Sequence, residues 1–420
     1  MKVLFPVEYY PPYTKGGAEI SAKLIAEGLS NQGVEVHVLT PNYRVFNNST
    51  SEENKVIVHR FKSLRKYLTG KGESFSQGMY ESRQALFYLL LNKYIMFSAW
   101  EFRRKISKLH RKENFDLIHA QNTESTIGLN LADIDCPKIA HIRDFNLFCI
   151  TGGKLKNKDI CEGCSIKNLQ SCLGTNPVLA ILLKNGVEWR KKQSEGFDHY
   201  IAISEFVSEE VQKEGIQEEN ISVVYNPIGA DEISNLTREE ARKKLGLNYE
   251  NIVLFVGALT KAKGAHLIPE LAEELPDVDF VILGDGPLKQ SFENGPENLH
   301  FQGKVPHEKV KDYYKASNIL VVPSLWHEPF GRVVIEGQVN STSVIATSVG
   351  GIPELIEDGK TGRLLSHLKY TELLKALKKT IEEEKKENGK KAGNVKSSAL
   401  KRFGKNEIAK KLRKIYDDKL

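Results

Sequence analysis

The stretch "ILVVPSLWHEPFGRVVIEGQV" at residues 319–339 reads as a strand, a loop and a helix in succession. The apolar run at its start is typical of a buried parallel strand, and its last part has helical spacing, with Val333, Val334 and Val339 facing inward. The loop "LWHEPF" therefore lies at the carboxyl end of a strand and directly before the first turn of a helix. In open α/β sheets, ligands bind at that position.

The same alternation of strand-like runs and helical patterns extends along the chain and restarts once. The first series runs from "KVLFPV" to "ISVVYNPI", and the second runs from "NIVLFVGAL" to "SVIATSV". Strands that alternate with helices predict parallel sheets covered by helices on both faces. We therefore predict an α/β fold of two Rossmann-like, doubly wound domains in tandem, residues 1–232 and 233–403, with the polar stretch 229–247 at their junction.

Length and composition set the class of protein. A chain of 420 residues exceeds one ordinary hydrophobic core and favours two domains. Its 40% hydrophobic and 27% charged residues are typical of a globular protein. The longest apolar runs fall short of the roughly 18 residues of a membrane span, and the N-terminus lacks the features of a signal peptide. We expect a cytoplasmic protein.

The formal net charge of +6 conceals a strongly basic segment. Residues 55–112 contain 14 Lys and Arg against three Glu. Such a segment favours an anionic partner, either a membrane surface, a phosphorylated acceptor or nucleic acid, whereas the alternative is a solvated helix. Nucleic acid is disfavoured because no recognition motif accompanies the charge. Apolar side chains on the same predicted helix favour peripheral binding to an anionic membrane: Leu86, Leu89, Leu90, Phe97 and Trp100.

The loop "LWHEPF" and the helix that follows it carry candidate ligand-binding groups. Free backbone amides and the positive end of a helix suit a diphosphate, and Gly331 allows the backbone to approach it closely. Carboxylates are pure acceptors and suit vicinal hydroxyls, so Glu328 is a candidate for a sugar and Glu336 for a ribose. The alternative is that Glu328 caps the helix and Glu336 lies on the surface.

Several motifs in one order resemble the retaining glycosyltransferases of family 4, which have the two-domain GT-B fold. Two glutamates separated by seven residues lie within "PSLWHEPFGRVVIEG", and "VIATSVGGIPELIEDGKTGRLL" follows. Further matching stretches cover nearly the whole chain: "KGGAEI", "ISEF", "VVYNPI", "VGALTKAKGAHLI" and "GDGPL". The resemblance implies that the C-terminal helix, residues 404–420, crosses back to the first domain.

The resemblance also implies an activity. Such enzymes move a sugar from a nucleotide-diphosphate donor (UDP-, GDP- or ADP-linked) to a hydroxyl of a glycan or lipid-linked acceptor, with retention at the anomeric carbon. The donor lies on the second domain, the acceptor enters from the first, and no catalytic metal is expected. Helix amides and a basic side chain, here Lys263, stabilise the leaving diphosphate. The implied donor-binding residues are Gly16, Gly17, Lys261, Lys263, Gly284, Glu328, Pro329, Phe330, Gly331, Arg332 and Glu336.

The implied catalytic residues are Glu328, Lys263 and a group in "KIAHIRDFNLFC". Relatives have a His there that contacts the donor sugar. Alignment of the Asp–aromatic pair selects Arg143, whereas residue type selects His141; the two share one face of a strand. Asp144 is a candidate to orient either one, and no general base is assigned.

The chain departs from the family pattern at three positions. Ala258 stands where relatives carry an Arg, so one phosphate cation is missing; Lys261 is the substitute, or the donor binds more weakly. Ser341 and Ser343 stand where relatives commonly have Gly and Pro, in a loop expected near the donor. Both glutamates and Lys263 are retained, which favours an active enzyme.

Four of the five cysteines form a cluster: Cys149, Cys161, Cys164 and Cys172. The Cys-x2-Cys pair with two flanking thiols predicts a structural zinc site, and free thiols are the alternative. Disulfides are disfavoured in a cytosolic chain.

Two other functions compete with sugar transfer. One is a GT-B protein that does not transfer to an acceptor, either a nucleotide-sugar epimerase or a phosphorylase. The other is a degenerate nucleotide-sugar-binding module, which the Ala258 departure makes conceivable.

Overall fold

A computed structural model describes residues 1–14, 16–43, 48–63, 85–156, 159–387 and 390–420. The chain forms two compact units: Met1–Pro227 together with Lys405–Leu420, and Ile228–Gly404. Part of the basic segment, residues 64–84, lies outside the described residues, as do the side chains of Leu86 and Leu89. No helix among the described residues combines the length and apolar character that crossing a membrane requires.

The first unit contains a parallel sheet with one antiparallel edge strand. In the described residues its strand order is β10-β9-β6-β5-β1-β2-β4-β3, where only β3 runs antiparallel to its neighbour, and β7 and β8 form a separate small hairpin. The strands are β1 Lys2–Pro6, β2 Glu35–Asn42, β3 Ser49–Glu53, β4 Val56–Lys62, β5 Leu117–Ala120, β6 Lys138–Ile142, β7 Leu155–Lys156, β8 Asp159–Ile160, β9 His199–Ala202 and β10 Ile221–Val223.

The second unit contains a fully parallel sheet with the order β13-β12-β11-β14-β15-β16. Its strands are β11 Ile252–Val256, β12 Asp279–Leu283, β13 Leu299–Gly303, β14 Ile319–Val322, β15 Ser343–Thr347 and β16 Arg363–Leu365. This is the doubly wound order in which the chain reverses direction across the sheet between its first and fourth strands. The reversal point of this unit therefore lies between β11 and β14.

Helices cover both sheets. In the first unit the described helices are α1 Gly17–Ser30, α2 Ala85–Glu113, α3 Thr123–Asn130, α4 Ile166–Leu173, α5 Pro177–Lys192 and α6 Glu205–Gln212. In the second they are α7 Arg238–Leu245, α8 Ile268–Glu274, α9 Lys289–Glu293, α10 His307–Ala316, α11 Arg332–Val339, α12 Tyr370–Glu387 and α13 Lys390–Phe403. The last helix, α14 Lys405–Asp417, belongs to the first unit.

Helix α14 packs on α1. Its buried face, Ile408, Leu412 and Tyr416, is part of the same core as the β1 and β2 side chains. A Cβ added at Gly28 would lie 2.9 Å from the Cβ of Ala409, so the glycine allows the two helices to approach closely. The return of the C-terminal helix to the first unit is therefore confirmed.

The unit boundaries differ slightly from the predicted domains 1–232, 233–403 and 404–420. Residues 228–232 belong to the second unit because Asn340 Nδ2 donates to the Glu232 carbonyl (3.0 Å). Gly404 also belongs there, since Ile228 pairs with it in an isolated bridge. The polar stretch 229–247 is thus the beginning of the second unit rather than a linker, and it includes helix α7.

Candidate active site

Two loops of the second unit meet at its reversal point. The amides of Leu325 and Trp326, after β14, donate to the carbonyl of Ala262, after β11 (2.8 and 3.0 Å). Gly264 adopts a left-handed φ of 70°, and a Cβ there would lie 1.8 Å from the Pro323 carbonyl oxygen. Only glycine fits this contact, so residues 261–264 ("KAKG") pack directly against residues 323–326 ("PSLW").

Glu328 and Lys263 form an ion pair across these loops. Lys263 Nζ lies 2.5 Å from Glu328 Oε1, and the Ser324 hydroxyl donates to the same oxygen at 2.8 Å. The Lys263 ammonium also lies 4.7 Å from the centroid of the Trp326 ring. Glu328 is 8% exposed, so its charge is balanced chiefly by this lysine. The sequence prediction that both residues belong to one site agrees with this geometry.

Gly331 occupies the N-cap position of α11. Its φ is 92°, and as a glycine it has no side chain with which to cap the helix; the N-cap residue is Gly331, so the alternative interpretation of Glu328 as the cap is wrong. A Cβ on Gly331 would lie 2.9 Å from Ile352 Cγ1. The buried Phe330 ring packs edge-on against Phe403, with 6.2 Å between centroids. Phe330 thus anchors the loop through its side chain, and only its backbone remains for the predicted donor contact.

Glu336 lies inside α11 as predicted, but it is buried, so its alternative placement on the surface is wrong. Arg332 Nε lies 2.9 Å from Glu336 Oε1, and Arg332 also pairs with Glu232. The Tyr314 hydroxyl donates to Glu336 Oε2 at 2.9 Å. Burial alone would raise the pKa of Glu336, but His307, whose Nε2 lies 3.9 Å from Oε1, and the Arg332 charge outweigh it and lower that pKa. The carboxylate therefore stays ionised.

Glu232, His307 and Glu336 place their potential metal-ligand atoms within 4.8 Å of one another. The guanidinium of Arg332 pairs with both carboxylates. A positive charge is therefore already present between them. Arg332 was predicted to contact the donor, whereas here it holds Glu232 and Glu336 together.

Other predicted donor residues surround the β11 loop. Gly284 follows β12 with φ 149°, and a Cβ there would lie 1.8 Å from the Gly257 carbonyl oxygen, so the residue keeps two loops close. Lys261 is exposed and Ala258 is half-buried on the same loop as Lys263. The loop thus contains two lysines, Lys261 and Lys263, while Ala258 contributes no charge. Pro329 is buried beside Phe330.

The two candidates of the first unit, His141 and Arg143, occupy buried positions at the carboxyl end of β6. The His141 ring stacks on that of His119, with 5.1 Å between centroids and 6° between planes. Among the described residues, neither ring nitrogen of His141 has a hydrogen-bond partner. Burial, together with the nearby Arg143 charge, holds the pKa of His141 well below its usual range, so the ring is neutral. A neutral imidazole with open nitrogens can hydrogen-bond a ligand hydroxyl.

Arg143 is held by two amides that sequence reasoning did not select. Its Nη1 donates to Asn226 Oδ1 and its Nη2 to Gln121 Oε1, both at 2.7 Å. Asn226 belongs to the quoted motif "VVYNPI", and Gln121 follows β5 directly. Both residues follow a strand, and this position is the sequence signal that could have identified them as site residues. Asp144 accepts from the Asn146 amide (2.9 Å), which differs from its predicted role of orienting His141 or Arg143.

Gly16 and Gly17 begin α1 after the loop that follows β1. The Gly16 amide donates to the Glu19 carboxylate at 2.9 Å. A Cβ added at Gly16 would meet no described atom within 4 Å, so packing does not require the glycine there. Open space at a helix N-terminus leaves room for a ligand.

Helix α2 presents a basic and partly apolar surface, defined here by Leu90, Met96, Trp100, Arg103, Arg104 and Lys108. Leu90, Met96 and Trp100 are 54%, 47% and 46% exposed. The Arg104 guanidinium lies 4.8 Å from the Trp100 ring centroid. A groove of about 940 Å³ runs along the helix, lined by Lys62, Trp100, Glu101, Arg103, Arg104, Lys105, Ser107, Lys108, Arg111 and Asp133. This surface complements an anionic partner.

Comparison with known proteins shows which family the chain resembles. The sequence profile of Glycosyltransferase Family 4 matches residues 15–232, and that of Glycosyl transferases group 1 matches residues 237–396. An uncharacterized glycosyltransferase of Methanocaldococcus jannaschii is 27% identical over 427 aligned positions, covering 100% of this chain and 98% of its own.

Solved structures share the fold. Anabaena HepE in complex with UDP-glucose superposes with a TM-score of 0.67 at 18% identity, covering 100% of both chains. Sucrose-phosphate synthase from Thermosynechococcus elongatus gives a TM-score of 0.73 at 19% identity, covering 99% of this chain and 98% of its own. The chain is a glycosyltransferase with the GT-B fold and belongs to glycosyltransferase family 4.

Proposed function

We propose that this glycosyltransferase transfers a hexose from a nucleoside diphosphate donor, UDP-linked in the first instance, to a hydroxyl of a lipid-linked or glycan acceptor, with retention at the anomeric carbon. The observation that carries the proposal is the Lys263–Glu328 ion pair close in sequence to the N-terminus of α11, where the N-cap residue Gly331 has no side chain. HepE, which shares the fold, was solved with UDP-glucose, and this supports the choice of donor to test first.

The diphosphate is assigned to the space that the N-terminus of α11 and Lys263 share. Free amides of the first helical turn favour a negative charge, and the ammonium adds a full positive charge. As the bond to the sugar breaks, negative charge grows on the leaving diphosphate. Groups already oriented toward that charge stabilise the transition state more than the ground state. Lys263, fixed by Glu328 and by the Trp326 ring, needs little reorganisation to do so.

The two glutamates have different roles in this proposal. Glu328 precedes the helix and accepts hydrogen bonds from sugar hydroxyls, while it holds Lys263 in place. Glu336 lies inside α11, is ionised, and has lone pairs beyond those used by Arg332 and Tyr314. A carboxylate with spare lone pairs can accept from both hydroxyls of a ribose.

His141 is the proposed contact to the reacting sugar in the first unit, and Arg143 holds the side chains of Asn226 and Gln121. Arg143 already uses two nitrogens on Asn226 and Gln121, whereas both ring nitrogens of His141 lack a partner among the described residues. His141 is neutral, so it is assigned to hydrogen bonding rather than to charge stabilisation. No catalytic metal is part of the proposal.

We assign the acceptor to the lipid-linked class because the α2 surface suits an anionic membrane, where such acceptors are found. Exposed Trp100, Met96 and Leu90 lie on the same helix as Arg103, Arg104 and Lys108. Each Lys or Arg near anionic lipid contributes about 1 kcal/mol, and aromatic side chains favour the interface. A peripheral position on the cytoplasmic face would bring lipid-linked acceptors to the enzyme.

The experiment that tests the proposed reaction is product analysis with UDP-, GDP- and ADP-linked hexoses and a lipid-linked acceptor extract. Nuclear magnetic resonance of the product gives the anomeric configuration. We expect the donor's configuration in the product with the wild type, and none of this product with Glu328→Gln. An inverted product would contradict the retaining mechanism. Release of free nucleotide-sugar epimer or sugar phosphate would indicate the competing functions.

A further inference from the structure

Four cysteines of the first unit surround one small cavity. Cys149, Cys161, Cys164 and Cys172 all line a space of about 20 Å³. A cavity that holds one water-sized sphere needs roughly 10–15 Å³, so this one has room for a single small ion or water. None of the five cysteines, all in the described part of the chain, forms a disulfide, and the fifth, Cys136, lies outside this cavity.

Three separate segments bring the thiols together. Cys149 is buried in the turn after β6, where its amide donates to the Phe145 carbonyl at 2.7 Å. Cys161 follows the short strand β8, and a turn at Gly163 leads to Cys164. Cys172 lies in α4. These segments have few regular backbone pairings, so side chains must hold them together.

The sulfur of Cys149 is surrounded by polar groups. The Lys154 amide donates to Cys149 Sγ at 3.3 Å, and the Thr151 hydroxyl also lies 3.3 Å from it. Amide and hydroxyl donors around a sulfur are typical of the outer shell of a metal-bound thiolate.

A buried arginine provides an independent observation. Arg190, 1% exposed, donates from Nη1 to the Asn146 carbonyl, but its Nε and Nη2 have no hydrogen-bond partner among the described residues. Cys149, Cys164 and the Asp144 carboxylate lie near its guanidinium. A buried guanidinium requires anions around it. A zinc ion with four thiolates carries a net negative charge, which would add to the charge of Asp144.

We propose that Cys149, Cys161, Cys164 and Cys172 bind one Zn²⁺ as thiolates, with Arg190 balancing the charge of the centre. Four thiol protons are released on binding, and no electron is transferred. With a Zn–S distance of about 2.3 Å, the sulfurs of a zinc site are about 3.8 Å apart. Among the described residues the only group of three or more with potential ligand atoms within 4.8 Å of one another is Glu232, His307 and Glu336, so the thiols must move closer on binding. The site is structural and does not depend on the proposed reaction.

The test is elemental analysis of the full chain purified without added metal. We expect about one zinc per chain in the wild type and in the matched control Cys136→Ser, and a large loss of zinc in Cys161→Ser. Because a serine variant can fail to fold, the wild type is also exchanged with Co²⁺, whose visible spectrum identifies tetrahedral thiolate ligation. Arg190→Gln should release zinc to a chelator about tenfold faster than the wild type.

Three results would overturn the proposal. One is a folded wild type without stoichiometric zinc and with all four thiols open to a thiol reagent. Another is a Cys149–Cys164 disulfide found by mass spectrometry of the native protein. The third is stoichiometric iron with inorganic sulfide, which would assign the four thiols to a different centre.

Discussion

The ammonium nitrogen of Lys263 lies 2.5 Å from the Glu328 carboxylate, although the two residues follow different strands, β11 and β14. These strands are neighbours at the reversal point of the second sheet. The two predicted catalytic residues therefore form one ion pair. Removal of either one changes the electrostatic environment of the other.

Replacement of Lys263 by Met should weaken nucleotide diphosphate binding. The substitution keeps the length of the side chain but removes the charge assigned to the diphosphate. A charge-assisted hydrogen bond contributes about 1.5–3 kcal/mol, so the dissociation constant for UDP should rise roughly ten- to a hundredfold. Isothermal calorimetry measures it. The control is Lys289→Met, because Lys289 forms a half-exposed i,i+4 pair with Glu293 on α9. An equal effect of the two variants would refute the assignment of Lys263.

Stability should depend on pH through His307. The carboxylates of Glu336 and Glu232, whose Oε1 atoms lie 3.9 and 3.7 Å from His307 Nε2, raise the pKa of His307 against the effects of burial and of Arg332. A raised pKa in the folded state means that protonation stabilises the fold. This stabilisation is full below the ordinary pKa of about 6.5 and is lost as pH rises through the higher folded value.

The free energy of unfolding of the wild type, relative to His307→Gln, should therefore decrease as pH rises above about 6.5. Urea titrations at several pH values measure this difference, in which titrations common to both proteins cancel. A constant difference above that pH would show that His307 keeps its ordinary pKa.

The C-terminal helix should contribute strongly to the stability of the first unit. Leu412 is fully buried in the core that α14 shares with α1, and Leu→Ala at such sites costs about 2–5 kcal/mol. Leu412→Ala should lower the midpoint of denaturant unfolding, whereas Leu420→Ala, at a side chain 59% exposed, should not. Similar midpoints for both variants would contradict the packing of α14.

The secondary structure near the site could be predicted because it depends on local patterns. The stretch that begins at Ile319 forms a strand to Val322 and a helix from Arg332, and Glu336 lies inside that helix as expected. The family motifs also identified both glutamates and Lys263 before any contact was known. In contrast, the edge strand β3 has the polar sequence "STSEE". It carries no apolar alternation because it pairs only at the exposed edge of the sheet.

The partners of the site could not be predicted because they come from distant parts of the chain. Arg332 pairs with Glu232, and Arg143 binds Gln121 and Asn226. Spacing within a motif does not identify such contacts, since they depend on which loops the sheet order brings together. For the same reason Arg332 was assigned to the donor, although its charge faces two carboxylates.

The α2 surface should bind anionic vesicles. Joint replacement of Arg103, Arg104 and Lys108 by Gln removes three cations, each contributing about 1 kcal/mol near anionic lipid. Flotation with phosphatidylglycerol vesicles should therefore be lost in the triple variant and weakened by salt in the wild type. The control variant replaces the exposed Lys289, Lys360 and Lys369 of the second unit. Equal flotation with neutral vesicles, or none at all, would contradict membrane binding.

The central claim is that Glu328 acts on the sugar and Glu336 on the ribose. Calorimetry with UDP and with UDP-glucose, on Glu328→Ala and Glu336→Ala, tests it most directly. Glu328→Ala should bind UDP nearly as the wild type does, since Lys263 remains available to the diphosphate, but it should lose its preference for UDP-glucose over UDP. Glu336→Ala should weaken both ligands by about 1.5–3 kcal/mol, because the ribose is common to both. If Glu328→Ala weakens UDP as much as Glu336→Ala does, the assignment of the two carboxylates is wrong.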